Sequence, residues 1–159
     1  VQARGGRRQW QELARKLQPL EATGGTSAEG ALKDIAVRLK RRGLVVLLSD
    51  LLVSRPETLT ALKFLRHHGH EVLVFHLVDP GERELPPASE ARFFDPETGD
   101  ELLVSVADIR EEYREAVKEA LDEWRRDLRP HGIEYEVVDT NTSLARALRA
   151  YLRKRERLG

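Results

Sequence analysis

The chain predicts a three-layer α/β fold, Rossmann-like, on a mainly parallel sheet carrying an inserted β-hairpin. Three observations lead there. Residues 44–48 are five consecutive large aliphatics without alternation, closed by Ser49-Asp50, as a strand buried on both faces reads. A helix-periodic stretch and a second apolar run, 72–78, follow at the spacing of a βαβ unit. A third run, 133–138, arrives after one long amphipathic segment and again closes on an aspartate, Asp139.

Taken in order, Trp10, Leu13, Leu17 and Leu20 recur at helical spacing, and Pro19 marks the stop. Thr26-Ser27-Ala28-Glu29 has the form of a capping box, followed by Ala31, Leu32, Ile35, Ala36 and Leu39, with Gly43 beyond. After the first strand, Ser54-Arg55-Pro56-Glu57 opens a helix with proline in its first turn, where the missing N–H is harmless. Leu59, Leu62, Phe64 and Leu65 line it, and Gly69 ends it. Asp79-Pro80-Gly81 closes the second strand. Residues 91–95 and 100–104 flank Pro96-Glu97-Thr98-Gly99 as a hairpin. Ser105 then caps a helix carrying Ile109, Tyr113, Val117, Leu121, Trp124 and Leu128, stopped by Pro130 and Gly132. Leu144, Leu148, Tyr151 and Leu152 give a last amphipathic helix.

The three parallel strands are expected side by side in chain order. Right-handed crossovers then put helices 56–68 and 106–129 on one face, and helices 27–42 and 143–157 are expected on the other.

At 159 residues the chain suffices for one domain with its own core. The 27 basic and 27 acidic residues cancel, so no global field favours nucleic acid or an anionic membrane. The apolar runs fall far short of the roughly 20 residues of a membrane span. No cysteine is present, which excludes disulfides and thiol chemistry and fits a cytoplasmic protein. Val1 and the absence of methionine point to a chain whose start codon lies upstream.

Candidate functional residues gather where parallel strands end, because ligand crevices lie at the carboxyl edge of such sheets. Asp50, Asp79 and Asp139 all close strands, near Thr26 and Thr140. For Asp79 and Asp139 the structural reading is ample, since aspartate accepts backbone N–H bonds at strand exits and helix starts. Asp50 differs: Leu51-Leu52 follow instead of a turn, so site and structure stay open there. Gly24-Gly25-Thr26 could cradle an anion at a helix start, but it lacks the lysine of a P-loop and the dinucleotide fingerprint. His67, His68 and His70 straddle a helix C-terminus without a carboxylate at ligand spacing. Ser49 lacks the flanking glycines of a nucleophile elbow and any histidine placed to activate it. His76, inside an apolar strand, reads as a hydrogen-bonded core histidine.

The order Gly24-Gly25-Thr26, amphipathic helix, GLVVLLSDL from Gly43 resembles the second half of a von Willebrand factor A-like domain. More specifically, the chain resembles the bacterial family called domain of unknown function fifty-eight. The segments RHHGHEVLVFHLVDP from Arg66, FFDPETG from Phe93, Tyr113-Arg114-Glu115 and GIEYEVVDT from Gly132 carry that likeness. The resemblance implies a single partial A-like domain over 1–159, without the first strands and their D-x-S-x-S segment. It implies a metal-ion-dependent adhesion site in which Thr26 and Asp50 are ligands and Ser49 stands behind them, taking Mg²⁺ or Mn²⁺ in the intact parent. No metal is expected tightly bound in this chain, because a hard cation wants near-octahedral oxygen ligation.

The resemblance further implies a non-enzymatic adaptor that works with a MoxR-type AAA+ ATPase, with no nucleic acid and no membrane insertion. The alternative is a Rossmann-like metal-dependent hydrolase or phosphotransferase using Asp50, Asp79 and Asp139. Residues 44–50 would lie mid-sheet in an intact A-like fold and carry no charge, proline or bulge that protects an edge. A homo-oligomer through that edge is therefore expected.

Overall fold

Parallel pairing of three apolar strands organises the molecule, seen in a computed structural model. It describes residues 6–21, 28–39, 41–85, 87–95, 98–143, 145, 148–149 and 151–153. Strand β1 (Leu44–Ser49) pairs with β2 (Glu71–Val78), and β2 with β5 (Glu134–Asp139), both in parallel. The order β1-β2-β5 is the expected one. A separate antiparallel hairpin joins β3 (Glu90–Phe94) to β4 (Glu101–Ser105), within one residue of the expected strands at either end.

The helices are α1 (Arg7–Leu17), α2 (Ala28–Arg38), α3 (Arg55–His67), the single turn α4 (Pro80–Arg83) and the long α5 (Val106–Leu128). A 3₁₀ turn over Arg129–His131 follows α5, and Gly132 closes it at φ 64°, a conformation that suits glycine. Of the last predicted helix, residues 145, 148–149 and 151–153 are described, and all are helical.

Two clusters cover the sheet. On one face Val72 and Val74 of β2 meet Leu62 and Leu65 of α3, and Trp124 and Leu128 of α5, with Val45 and Leu47 of β1 packed alongside. On the other face Leu73, Phe75 and Val138 meet Tyr151, whose ring lies edge-on to Phe75 at 6.3 Å. The expected sides of α3, α5 and the last helix are thus found.

Two expectations are corrected. Helix α2 does not cover the second face: its Leu32 and Ala36 belong to the first cluster, beside α3. The crossover rule fixes the side only of a helix that links two parallel strands, and no described strand precedes α2. Strand β1, expected to be buried on both faces, is only half covered. Leu44, Val46 and Leu48 remain 43, 42 and 49% exposed, while Val45 and Leu47 turn toward the helices. An unalternating apolar run promises two apolar faces, but a neighbour must exist to bury each.

Local signals fared unevenly. Ser54 and Ser105 precede α3 and α5 as expected, but neither side chain makes a capping hydrogen bond. Asp79, read as turn chemistry, makes a full capping box with Glu82 and opens α4. The proposed box at Thr26-Ser27-Ala28-Glu29 begins outside the described residues.

Candidate functional site

The carboxyl edge of the sheet is built first by the turn that leaves β1. Leu51 adopts φ 55°, left-handed backbone that a leucine rarely takes, with its side chain buried in the core. Two side chains brace this conformation. Ser49 Oγ accepts the Leu51 N–H at 3.1 Å, and Asp50 Oδ1 accepts the Leu52 N–H at 3.1 Å. The Ser49 hydroxyl reaches Asp50 Oδ1 at 3.5 Å. Asp50 is therefore not idle structurally, though its carboxylate stays exposed.

In the parallel register Ser49 lies beside His76 of β2, so a histidine does neighbour the serine. Its ring, however, is committed elsewhere. His76 Nδ1 hydrogen-bonds the Tyr135 hydroxyl at 2.7 Å, and the ring also meets the Asp50 backbone carbonyl. Burial holds the imidazole below its ordinary value, opposed by that carbonyl and by the Asp50 charge. Burial likewise pushes the Tyr135 phenol up to about 12. The expected hydrogen-bonded core histidine is what is found; its partner Tyr135 was not anticipated. The period-2 alternation Ile133, Tyr135, Val137 was the available signal.

The other two aspartates have partners of their own. Asp79 Oδ2 accepts the Thr140 hydroxyl at 2.6 Å and Oδ1 accepts the Gly81 N–H at 2.8 Å. Those bonds, Thr140 foremost, hold its carboxyl below the usual range. Asp139 pairs with Arg83 at 2.9 Å. Asp79 and Thr140 thus come together, whereas Asp50, Asp79 and Asp139 do not share one ligand. Among the described residues no group of three histidines or carboxylates could hold a metal ion. Thr26 lies outside the described residues. Asp50 and Ser49 alone fall short of the oxygen set that a hard cation needs.

The three neighbouring histidines also diverge. His68 Nδ1 bonds the Phe64 carbonyl at 2.9 Å and stacks near that ring, while His70 is buried. The sequence reading missed the cleft that these elements enclose. About 370 Å³ in volume, it runs between the β1–α3 turn, the end of β2 and one side of α5. Leu51, Leu77, Val117, Leu121 and Trp124 give it apolar walls, and Asp50, His76, Glu82 and Tyr113 supply polar groups. Tyr113 ties α5 to α4 by donating its hydroxyl to the Glu82 carbonyl at 2.7 Å.

A family model described as protein of unknown function DUF58 matches residues 1–123, well over half of the chain. The chain belongs to that family. Comparison with curated proteins and with solved structures gives no match. The DUF58 match runs from α1 into α5 and so takes in the Asp50 turn, the Asp79 cap and the hairpin. In this DUF58 chain no described helix is long and apolar enough to cross a membrane.

Proposed function

We propose that this DUF58 chain is a protein-interaction domain, von Willebrand factor A-like, that performs no catalysis and serves as adaptor to a MoxR-type AAA+ ATPase. The observation that carries the reading is β1. Its outer face exposes Leu44, Val46 and Leu48, and among the described strands only β2 pairs with it. Among the described residues nothing pairs the other edge of this uncharged apolar strand, so in this chain it is open to another polypeptide, a place that an intact A-like domain would fill with a strand of its own. The family resemblance supplies the nature of the partner. The separate engagement of Asp50, Asp79 and Asp139 gives the hydrolase alternative no support.

The test is direct binding. Purified MoxR-type ATPase from the same genome, titrated onto the immobilised chain, should bind saturably, and Leu44→Lys should weaken it. No binding with or without nucleotide would end the partnership reading.

On the same reading Thr26 and Asp50 are the surviving ligands of an adhesion site for Mg²⁺ or Mn²⁺, with Ser49 bracing Asp50. Two side chains compete poorly with the aqua shell of either ion. Calorimetric titration of the 159-residue chain should therefore detect weak binding or none; micromolar affinity for either ion would contradict this assignment.

A further inference from the structure

We infer that the cleft between the β1–α3 turn and α5 seats an arginine side chain of a partner polypeptide. This rests on the reading of the chain as a protein-binding domain and names what one of its sites recognises. Asp50 and Glu82 carry the only full charges among the described residues that line the cleft, and both are negative. His76, which faces the cleft from β2, has its Nδ1 engaged by the Tyr135 hydroxyl at 2.7 Å. Both carboxylates are held by backbone donors: Asp50 Oδ1 by the Leu52 N–H, Glu82 Oε2 by the Asp79 N–H, each at 3.1 Å. These bonds engage one oxygen of each and fix where the negative charge stands.

The rest of the lining is aliphatic and aromatic. A ligand that satisfies both halves needs an apolar stem and a cationic head. An acidic ligand would be repelled, and a purely apolar one would desolvate two carboxylates without compensation. The volume of about 370 Å³ lies at the lower end for ligand sites and suits one long side chain. Arginine fits better than lysine. Its guanidinium is planar and weakly hydrated, it bonds carboxylates through two donors, and it stacks on aromatic faces. The chain already does this internally, with the Arg55 guanidinium 5.8 Å over the Trp124 ring centre.

The probe is acetyl-Gly-Arg-Gly-amide, compared with its citrulline isostere and with the leucine peptide. Binding is read from Trp124 fluorescence in Trp10→Phe, since Trp10 is exposed and these are the two tryptophans. The arginine peptide should saturate, and the citrulline peptide should bind roughly tenfold more weakly, the lower end of what one lost charge-assisted bond is worth. Asp50→Asn and Glu82→Gln keep the oxygen that accepts the backbone N–H and remove only charge. Each should weaken the arginine peptide by a similar factor and leave the citrulline peptide unchanged. Equal affinity for arginine and citrulline, preference for leucine, or no saturation by any peptide would overturn the inference. Because the probe needs no ATPase, the two readings fail separately. Peptide binding without ATPase capture upholds the site and defeats the named partner, while the converse defeats the arginine assignment alone.

Discussion

His76 is the residue whose surroundings most constrain its chemistry. Packed between β1 and β5, with Tyr135 on Nδ1, it resists protonation because charge would be buried. The unfolded chain takes up that proton near pH 6.5, the ordinary value, before the folded chain does. The unfolded state therefore binds more protons below this point, and the stabilising contribution, complete above it, is lost as pH falls toward the lowered folded value. Denaturant midpoints should drop as pH falls below the ordinary value of 6.5. His76→Phe should flatten that segment of the profile; an unchanged slope would show that other groups dominate. Asp79 works in the opposite range. Its lowered carboxyl stabilises the fold above the ordinary value of 3.8, and this is lost as pH falls through the folded value. Thr140→Val should raise the Asp79 titration midpoint, as followed by carboxyl carbon resonance.

Among the elements, α3 and α5 are joined by more than apolar contact. Arg55, at the start of α3, pairs with Glu123 and Asp127, one turn apart on α5, and stacks on Trp124 between them. All three charged groups are about a third exposed, so water screens the pairs, and most of the effect belongs to stacking and geometry. Arg55→Ala should cost about 1 kcal/mol of unfolding free energy, with much of it retained in high salt. Leu62, fully buried in the same interface, offers a calibration: Leu62→Ala should cost about 3 kcal/mol through lost transfer energy and the cavity left behind. A thermal or urea series that ranks Arg55→Ala above Leu62→Ala would mean that the polar clamp dominates. The hairpin contrasts with this interface. Phe94, Leu102 and Leu103 are largely exposed, so β3–β4 depends on its own cross-strand pairs and a few contacts with α5.

For the molecule as a whole, the edge of β1 that no described strand pairs is the reason to expect self-association of this chain. Backbone groups on that side need water or another chain, and flanking aliphatics disfavour water. A second copy paired antiparallel across a twofold axis is the simplest closed arrangement. Light scattering should find a mass above 18.1 kDa that falls on dilution. Leu44→Lys at the start of the strand should shift it toward the monomer, because an edge charge opposes pairing. A monomer at all concentrations would dismiss self-association through this edge.

Much of this architecture is written in local chemistry. Strand positions, their parallel order and the hairpin follow from apolar runs, Gly/Pro punctuation and the handedness of crossovers, all short-range or chiral effects. The role of Asp79 as a backbone acceptor was legible for the same reason. What the residues could not announce depends on neighbours distant in the chain. An apolar run cannot say whether a helix covers each of its faces, so the exposure of Leu44, Val46 and Leu48 emerged only with the tertiary arrangement. Nor does spacing reveal that Asp139 turns to Arg83, that Tyr135 claims His76, or that Asp50 and Glu82 border one cleft against α5. Periodicity specifies which side of an element is apolar; it is the packing of those sides, element against element, that selects polar partners and shapes a cavity.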